Sequence, residues 1–449
     1  MKDSNTRQAW RFGLLAALLP VALGSPAQSG LQWHGPSPAP SVLVAPAPVP
    51  DPYAPIARTA QARPFDVRSF EAMAQQMVAG GRIPGLAVAI VQNGRVLSAR
   101  GYGVTDSRNG QPVDAHTVFR LASLSKSFAG TMTGILVNDG VLRWDSRLVD
   151  YLPDFRLSQP AAAQQVTITD LLSHRVGLTH NAYDRDIEAN VEFHTLTRKL
   201  ATAPLKCAPG QCYAYQNVAF SLVGDVVFAA TGQFFSEAVA RRIFKPLGMH
   251  DASYGLEGIQ ASARWARPHV RGGGGWVPLT PKPTYYRVAP AAGVNASISD
   301  MAQWLLAQTG HRPDVLPAPL LATLHAPVIA TPSELRGSAW RRSRLNSASY
   351  GLGWRVYNYA GHDVVFHGGA VQGYRGAMAL LPDRDLGIVI LWNSESAMPS
   401  GLLPTVLDSA LGISGGQWLD AEIAPDAMYA GQPEDATGAD ASAASAAPH

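Results

Sequence analysis

At 449 residues the chain is too long for one hydrophobic core, so more than one lobe is expected. Hydrophobic residues at 47% and charged residues at 15% describe an ordinary globular protein. A formal net charge of +3 without a strong Lys/Arg cluster argues against a nucleic-acid partner, and the densest basic run, Arg341-Arg342-Ser-Arg344, reads as a solvated loop.

Lys2, Arg7 and Arg11 precede an apolar run over residues 12–24 that is too short to span a bilayer and is followed by small residues. Residues 1–27 therefore read as a secretory signal peptide, cleaved after Gly24 or Ala27, with an uncleaved anchor as the alternative. Cleavage would leave a periplasmic or secreted protein with no stable membrane insertion. No cysteine lies near the cleavage region, which argues against a lipid anchor. Residues 28–64 are rich in Pro and Ala and read as an extended linker.

The spacing of Val67, Phe70, Met73 and Met77 predicts a helix over residues 67–78, stopped by Gly80-Gly81. Residues 86–91 and 95–100 read as strands joined by Asn93-Gly94, a strong hairpin signal. Phe128, Met132, Ile135 and Leu136 then recur at helical spacing. Further helices are expected over 168–174, 219–230, 235–244 and 298–308, the last capped by Ser299 or Asp300. The glycine run 271–276 reads as a loop. Strand patterns return over 350–357, 364–367, 376–381 and 386–392, and residues 402–411 close the body as a helix.

Strands at both ends and helices between them predict an α/β (α+β) fold. One antiparallel sheet would come from both chain ends, flanked by helices, with a mainly helical second lobe. The folded domain is expected over residues 65–415, with a sheet lobe of 65–122 and 345–415 and a helical lobe of 123–344. An Ala-rich disordered tail is expected over 416–449.

The chemistry centres on Phe119-Arg-Leu-Ala-Ser-Leu-Ser-Lys-Ser-Phe128. If a helix begins at Ser123, Lys126 lies on the same face one turn on, and Ser123 meets the free N–H groups of the helix start. A serine hydroxyl is a weak nucleophile until a neighbouring base takes its proton, and a desolvated amine can do that. Only six lysines occur, and no other has a serine three residues before it. Farther on, Pro209-Gly-Gln-Cys-Tyr-Ala-Tyr-Gln-Asn217 holds the single Tyr-x-Asn, Tyr215 and Asn217, while Phe366-His-Gly-Gly-Ala370 ends a predicted strand in glycines. Cys207 and Cys212 flank Ala-Pro-Gly-Gln, a turn sequence. Export favours a disulfide between them, and two buried free thiols are the alternative. No metal-ligand spacing is present in the sequence, so neither a metal nor a cofactor is expected.

In this order, together with Leu171-Leu-Ser-His-Arg-Val-Gly-Leu178 and Pro246-Leu-Gly-Met249, these motifs resemble the serine β-lactamase and penicillin-binding protein superfamily over roughly residues 67–411. The nearest branch is class C β-lactamases, D,D-carboxypeptidases and related serine esterases. The resemblance implies the β-lactamase/transpeptidase-like fold, Ser123 as the acylated nucleophile, Lys126 and Tyr215 as its catalytic partners, and Asn217 as a substrate or Lys126 contact. It further implies His367, Gly368 and Gly369 as a substrate-binding third motif, with the Ser123 and Ala370 N–H groups as the oxyanion hole. Which of Lys126 and Tyr215 accepts the serine proton is not readable from sequence.

The third motif departs from Lys-Thr-Gly: histidine is only partly charged near neutral pH, and the threonine hydroxyl is missing. That disfavours a potent β-lactamase. Arg355 would be a candidate for the missing charge, although a surface-facing side chain is the expectation. The chain thus reads as an exported serine hydrolase for small-molecule or peptidoglycan-type substrates: D-amino-acid peptides, β-lactams or related amides. An esterase for small esters and a non-catalytic penicillin-binding or peptidoglycan-sensing protein are the alternatives. Oligomeric state is not readable.

Overall fold

The computed structural model describes residues 66–419; the signal segment, the whole of the linker, the expected domain start at 65 and the tail beyond 419 lie outside them. Helix α1 (Val67–Ala79) begins at Asp66, whose carboxylate accepts from the Arg68 and Ser69 N–H groups, and it buries Phe70, Ala74 and Met77. Strands β1 (Gly85–Gln92) and β2 (Arg95–Gly103) follow. Their turn takes the left-handed conformation at both Asn93 (φ 51°) and Gly94 (φ 71°), the backbone a tight hairpin of this hand requires.

The remaining strands are β3 (Val118–Arg120), β4 (Ser253–Tyr254), β5 (His269–Gly272), β6 (Gly275–Pro278), β7 (Val294–Ser297) and β8 (Ile329–Ala330). They continue with β9 (Leu345–Tyr350), β10 (Arg355–Tyr359), β11 (His362–Val371), β12 (Tyr374–Leu381) and β13 (Leu386–Trp392). Eight form one antiparallel sheet in the order β2-β1-β13-β12-β11-β10-β9-β8, so the two chain ends meet at the β1–β13 pairing. Strands β3, β7 and β4 make a small second sheet.

Strand periodicity shows how the layers form. Leu86, Val88 and Ile90 enter one core with Phe70, Leu402, Leu403 and Trp392; Ala87, Ala89 and Val91 enter the other with Phe128, Leu305 and Val389. The sheet is therefore covered on both faces, by the terminal helices α1 and Leu402–Leu411 on one side and by the helical lobe on the other. Truncating a leucine in either core would cost about 2–5 kcal/mol.

Several local expectations are corrected. The segment expected as one strand over 350–357 is two, β9 and β10, with a turn between. Gly353 has φ 84°, and a Cβ there would lie 2.3 Å from the Lys126 carbonyl oxygen; a Cβ on Gly130 would lie 2.0 Å from that of Leu352. The turn exists because the helix carrying Lys126 docks backbone to backbone against it. The run 271–276 is part of the β5–β6 hairpin, whose pairing the glycines mask.

Helix Ile298–Gln308 is capped by Ser297, which exchanges hydrogen bonds with Asp300 in a capping box. Arg341-Arg342-Ser-Arg344 ends a helix, Ala339–Arg344, and is no solvated loop: Arg341 pairs with Glu334 and Arg344 with Asp408. The sheet reaches back to β8, inside the expected helical lobe. The folded body passes residue 415, since Trp418 is buried and its indole N–H donates to Asp408 at 2.8 Å. Among the described residues no single helix is long and apolar enough to cross a membrane.

Candidate active site

Ser123 lies in a 3₁₀ turn, Ala122–Leu124, and helix α2 (Ser125–Asn138) starts two residues later than expected. Ala122 adopts φ 50°, a left-handed conformation costing about 1–3 kcal/mol that persists only where the surroundings impose it. Those surroundings are specific: Ser125 Oγ donates to the Ala122 carbonyl at 2.6 Å and accepts from Val294 N–H at 3.0 Å. The strained turn lifts one residue outward, for Ser123 is the only partly exposed residue between Thr117 and Leu136. Strand β11 passes so close that a Cβ on Gly369 would lie 2.5 Å from the Leu121 oxygen and 3.2 Å from Ser123 N. A side chain at 369 would force the strand away from Ser123.

Lys126, one turn on, is fully buried. Its Nζ donates to Ser123 Oγ at 3.3 Å, to Asn217 Oδ1 at 2.7 Å and to the Ala291 carbonyl at 3.2 Å. Burial pushes the lysine pKa well below its usual value; Asp184 opposes that shift and Arg355 adds to it. The Tyr215 hydroxyl hydrogen-bonds Ser123, and burial raises its pKa against that bond and the nearby Arg355. Lys126 Nζ sits 4.5 Å over the Tyr215 ring rather than at its hydroxyl. Both groups are thus driven towards their neutral forms, an amine with a lone pair and a phenol with a proton.

Two residues that pattern reading did not single out complete this cluster. Asp184 Oδ2 accepts from Asn217 Nδ2 at 2.8 Å, tying Asn217 between a carboxyl group and the lysine amine, and burial raises the Asp184 pKa to about 6. No spacing rule links an aspartate 33 residues upstream to Asn217. His174, at φ 59° and buried, accepts the Gln216 N–H on Nδ1 at 3.1 Å, and its ring centroid lies 4.3 Å from that of Tyr215. It fixes the segment bearing Tyr215 and Asn217; its signal was the Leu171–Leu178 match. A Cys207–Cys212 disulfide closes the turn that leads into this segment.

Arg355 is inside the fold, correcting the expected surface position. It pairs with Glu334 and lies 5.6 Å from the Tyr215 ring centroid. Glu334 also accepts from Arg341 and from the Tyr357 hydroxyl at 2.8 Å. Burial alone would raise its pKa, but Arg355 and Arg341 outweigh burial and hold it at about 2. Removing this shared carboxylate leaves two buried guanidiniums unneutralised, so Glu334→Gln is expected to cost about 3–5 kcal/mol in urea unfolding at neutral pH. Because the folded pKa is depressed, the contribution of Glu334 is complete above its ordinary value of 4.5 and is lost as pH falls through about 2. An unchanged midpoint in Glu334→Gln would count against the network.

The His-Gly-Gly motif lies within β11 and not at its end. His367 is 1% exposed, its Nε2 is 3.0 Å from the Tyr350 hydroxyl and its Nδ1 is 2.7 Å from the Gly368 carbonyl. Burial, with Arg355 and Lys126 nearby, pushes its pKa well below the usual histidine value. A neutral, enclosed ring with both nitrogens engaged is not placed to grip a substrate carboxylate, which departs from the expected substrate-binding role. Gly368 and Gly369 pair with Ala377 and Gly376, and Ala370 pairs with Arg375. Beyond Gly369, Ala370 opens onto a cavity of about 430 Å³ that is also lined by Arg120, Lys282 and Tyr285.

A family model described as Beta-lactamase matches residues 70–410. The unguisins hydrolase ungD' of Aspergillus campestris is 26% identical over 357 residues, covering 77% of this chain and 64% of the relative. Protein flp of Staphylococcus aureus is 25% identical over 319 residues, covering 70% of this chain and 61% of the relative. The chain thus spans a little under two thirds of these relatives' length. Among solved structures, an octameric penicillin-binding protein homologue from Pyrococcus abyssi superposes with TM-score 0.68 at 22% identity, covering 81% of this chain and 79% of that one. The D-amino acid amidase from Ochrobactrum anthropi SV3 gives TM-score 0.63 at 20% identity, covering 77% and 98%. These structural likenesses establish the fold.

Proposed function

The chain belongs to the beta-lactamase family, and from that premise we propose that it is an exported serine hydrolase that forms an acyl-enzyme on Ser123 and acts on D-amino-acid peptides, β-lactams or related amides. One observation carries the reading: a partly exposed serine hydroxyl stands 3.3 Å from a fully buried lysine amine. A neutral Lys126 takes the Ser123 proton as Oγ attacks the carbonyl carbon, and the resulting oxyanion is received by the Ser123 and Ala370 N–H groups. Tyr215, kept protonated by burial and bonded to Ser123, is the group that hands a proton to the departing nitrogen and recovers one through Lys126. Water then repeats the attack on the acyl-enzyme.

An amine leaving group needs that proton far more than an alkoxide or phenoxide does, so the Lys126–Tyr215 pair favours amides over esters. The names of two similar proteins, a hydrolase of unguisins and a D-amino acid amidase, support the same class. The Tyr215-x-Asn217 motif supports the class C branch, and the Cys207–Cys212 disulfide, with the N-terminal signal pattern, supports an oxidising, extracytoplasmic location.

The test is intact-protein mass spectrometry after exposure to a phosphonate, a penicillin and a p-nitrophenyl ester. A single phosphonate adduct on the Ser123 peptide is expected. An unmodified Ser123 with all three reagents would end the reading.

A further inference from the structure

The oxyanion hole of the proposed reaction needs N–H groups held in fixed directions, and one of the two belongs to the strained turn. In a trans peptide the carbonyl of one residue and the N–H of the next point opposite ways across one rigid plane. The plane that carries the Ser123 N–H therefore carries the Ala122 carbonyl at its other end. Turning that carbonyl turns the donor.

One residue grips this carbonyl twice. The Ser125 backbone N–H reaches the Ala122 oxygen, and Ser125 Oγ donates to it at 2.6 Å from a side chain that is 0% exposed. The hydroxyl is anchored in turn, since it accepts from Val294 N–H at 3.0 Å at the start of β7. The Val294 carbonyl accepts from Leu121 N–H at 2.9 Å, and β7 goes on to pair with β3 at Asn295–Arg120 and Ala296–Phe119. The small second sheet thus holds the turn from both sides, and the Ser125 hydroxyl is its link to the peptide before the nucleophile. At the far end of that peptide, the Ser123 N–H has no protein acceptor among the described residues and is left for a ligand. A Cβ on Gly369 would lie 3.2 Å from Ser123 N, so this donor lies against β11, whose next residue is Ala370, the other proposed donor.

We propose that Ser125 is a positioning residue of the oxyanion hole: its hydroxyl holds the Ala122 carbonyl inward and so aims the Ser123 N–H at the oxygen that becomes negative. The proposal rests on the serine hydrolase reading and assigns the group that makes one of its donors effective. The same bond polarises the peptide and strengthens its N–H as a donor.

Ser125→Ala tests it, with p-nitrophenyl butanoate as substrate. Acylation and deacylation both pass through the hole, so both should slow. We expect kcat to fall roughly 10- to 100-fold, short of the loss of a whole oxyanion donor, with KM within about threefold of wild type. Phenylboronic acid, which takes Ser123 Oγ as a fourth ligand on boron and sets an anionic oxygen in the hole, should lose affinity by about the same factor. Ser125→Thr keeps the hydroxyl and should keep most of the turnover and of the boronate affinity. Should Ser125→Ala not fold, Ser125→Cys, close in size and only a weak donor, takes its place with the same readouts.

Ala122→Gly/Ser125→Ala separates aim from strain. Glycine takes the left-handed conformation freely, so it repairs a turn that has merely lost support, yet it leaves the peptide looser and unaimed. Turnover in the double variant should stay as low as in Ser125→Ala or drop further. A return to the wild-type rate would overturn the proposal, as would unchanged kcat in folded Ser125→Ala or a fall in kcat with no loss of boronate affinity. If that failure comes with normal phosphonate labelling of Ser123, only the role of Ser125 is wrong. If wild-type Ser123 takes no phosphonate, the hydrolase reading falls first and the role of Ser125 with it.

Discussion

Ser123→Ala is expected to abolish phosphonate labelling and to lower kcat/KM by roughly 10⁴- to 10⁶-fold, with the fold intact. The change removes a single oxygen from a partly exposed position, and the strain at Ala122 is imposed by Ser125 and Val294, which stay. Lys126 keeps Asn217 and the Ala291 carbonyl, so no buried amine is left without partners. What remains is the catalysis that oriented oxyanion donors supply without a nucleophile, a small remnant. Steady-state kinetics on an amide substrate and circular dichroism on the same sample decide the matter. Turnover near the wild-type rate in folded Ser123→Ala would move the nucleophile elsewhere.

Much of this site was legible because its chemistry is local. The Ser123–Lys126 spacing and the Tyr215–Asn217 pair each fall within one turn or one short loop. The two-ended sheet was legible because β1, β12 and β13 are long apolar runs with clear turns. The misses share a different cause: each depends on a partner distant in sequence. Arg355 reads as a surface residue until Glu334, on another segment, supplies the carboxylate that lets it be buried. His367 reads as a partly charged substrate contact until the burying strands, with Tyr350 at its Nε2, enclose it and favour the neutral ring. Gly353 falls inside what reads as one strand over 350–357 and Gly369 at the end of another, whereas both are points where two backbones meet too closely for a side chain. Composition carries no trace of such approach.

Lys126→Ala is expected to reduce kcat/KM by roughly 10²- to 10⁴-fold, the usual worth of a positioned general base. The sharper question is when the wild-type amine is free of its proton. Catalysis needs neutral Lys126, so activity should fall as pH falls through the lysine pKa, and burial places that acid limb well below the ordinary lysine range. Asp184 acts against burial, because its ionised carboxylate favours the ammonium form.

Replacing it with asparagine keeps an acceptor for Asn217 Nδ2 and removes only the charge. In Asp184→Asn the acid limb should therefore move to lower pH. The displacement has a floor, since wild-type Asp184 itself takes a proton near pH 6 and then resembles the variant. Profiles of kcat/KM for an uncharged substrate should differ above that pH and converge below it. A limb that stays in place in Asp184→Asn would mean Lys126 is not the group whose deprotonation the enzyme awaits. Loss of activity across the whole pH range in folded Asp184→Asn would instead mark Asp184 as the proton acceptor and leave Lys126 as a fixed cation.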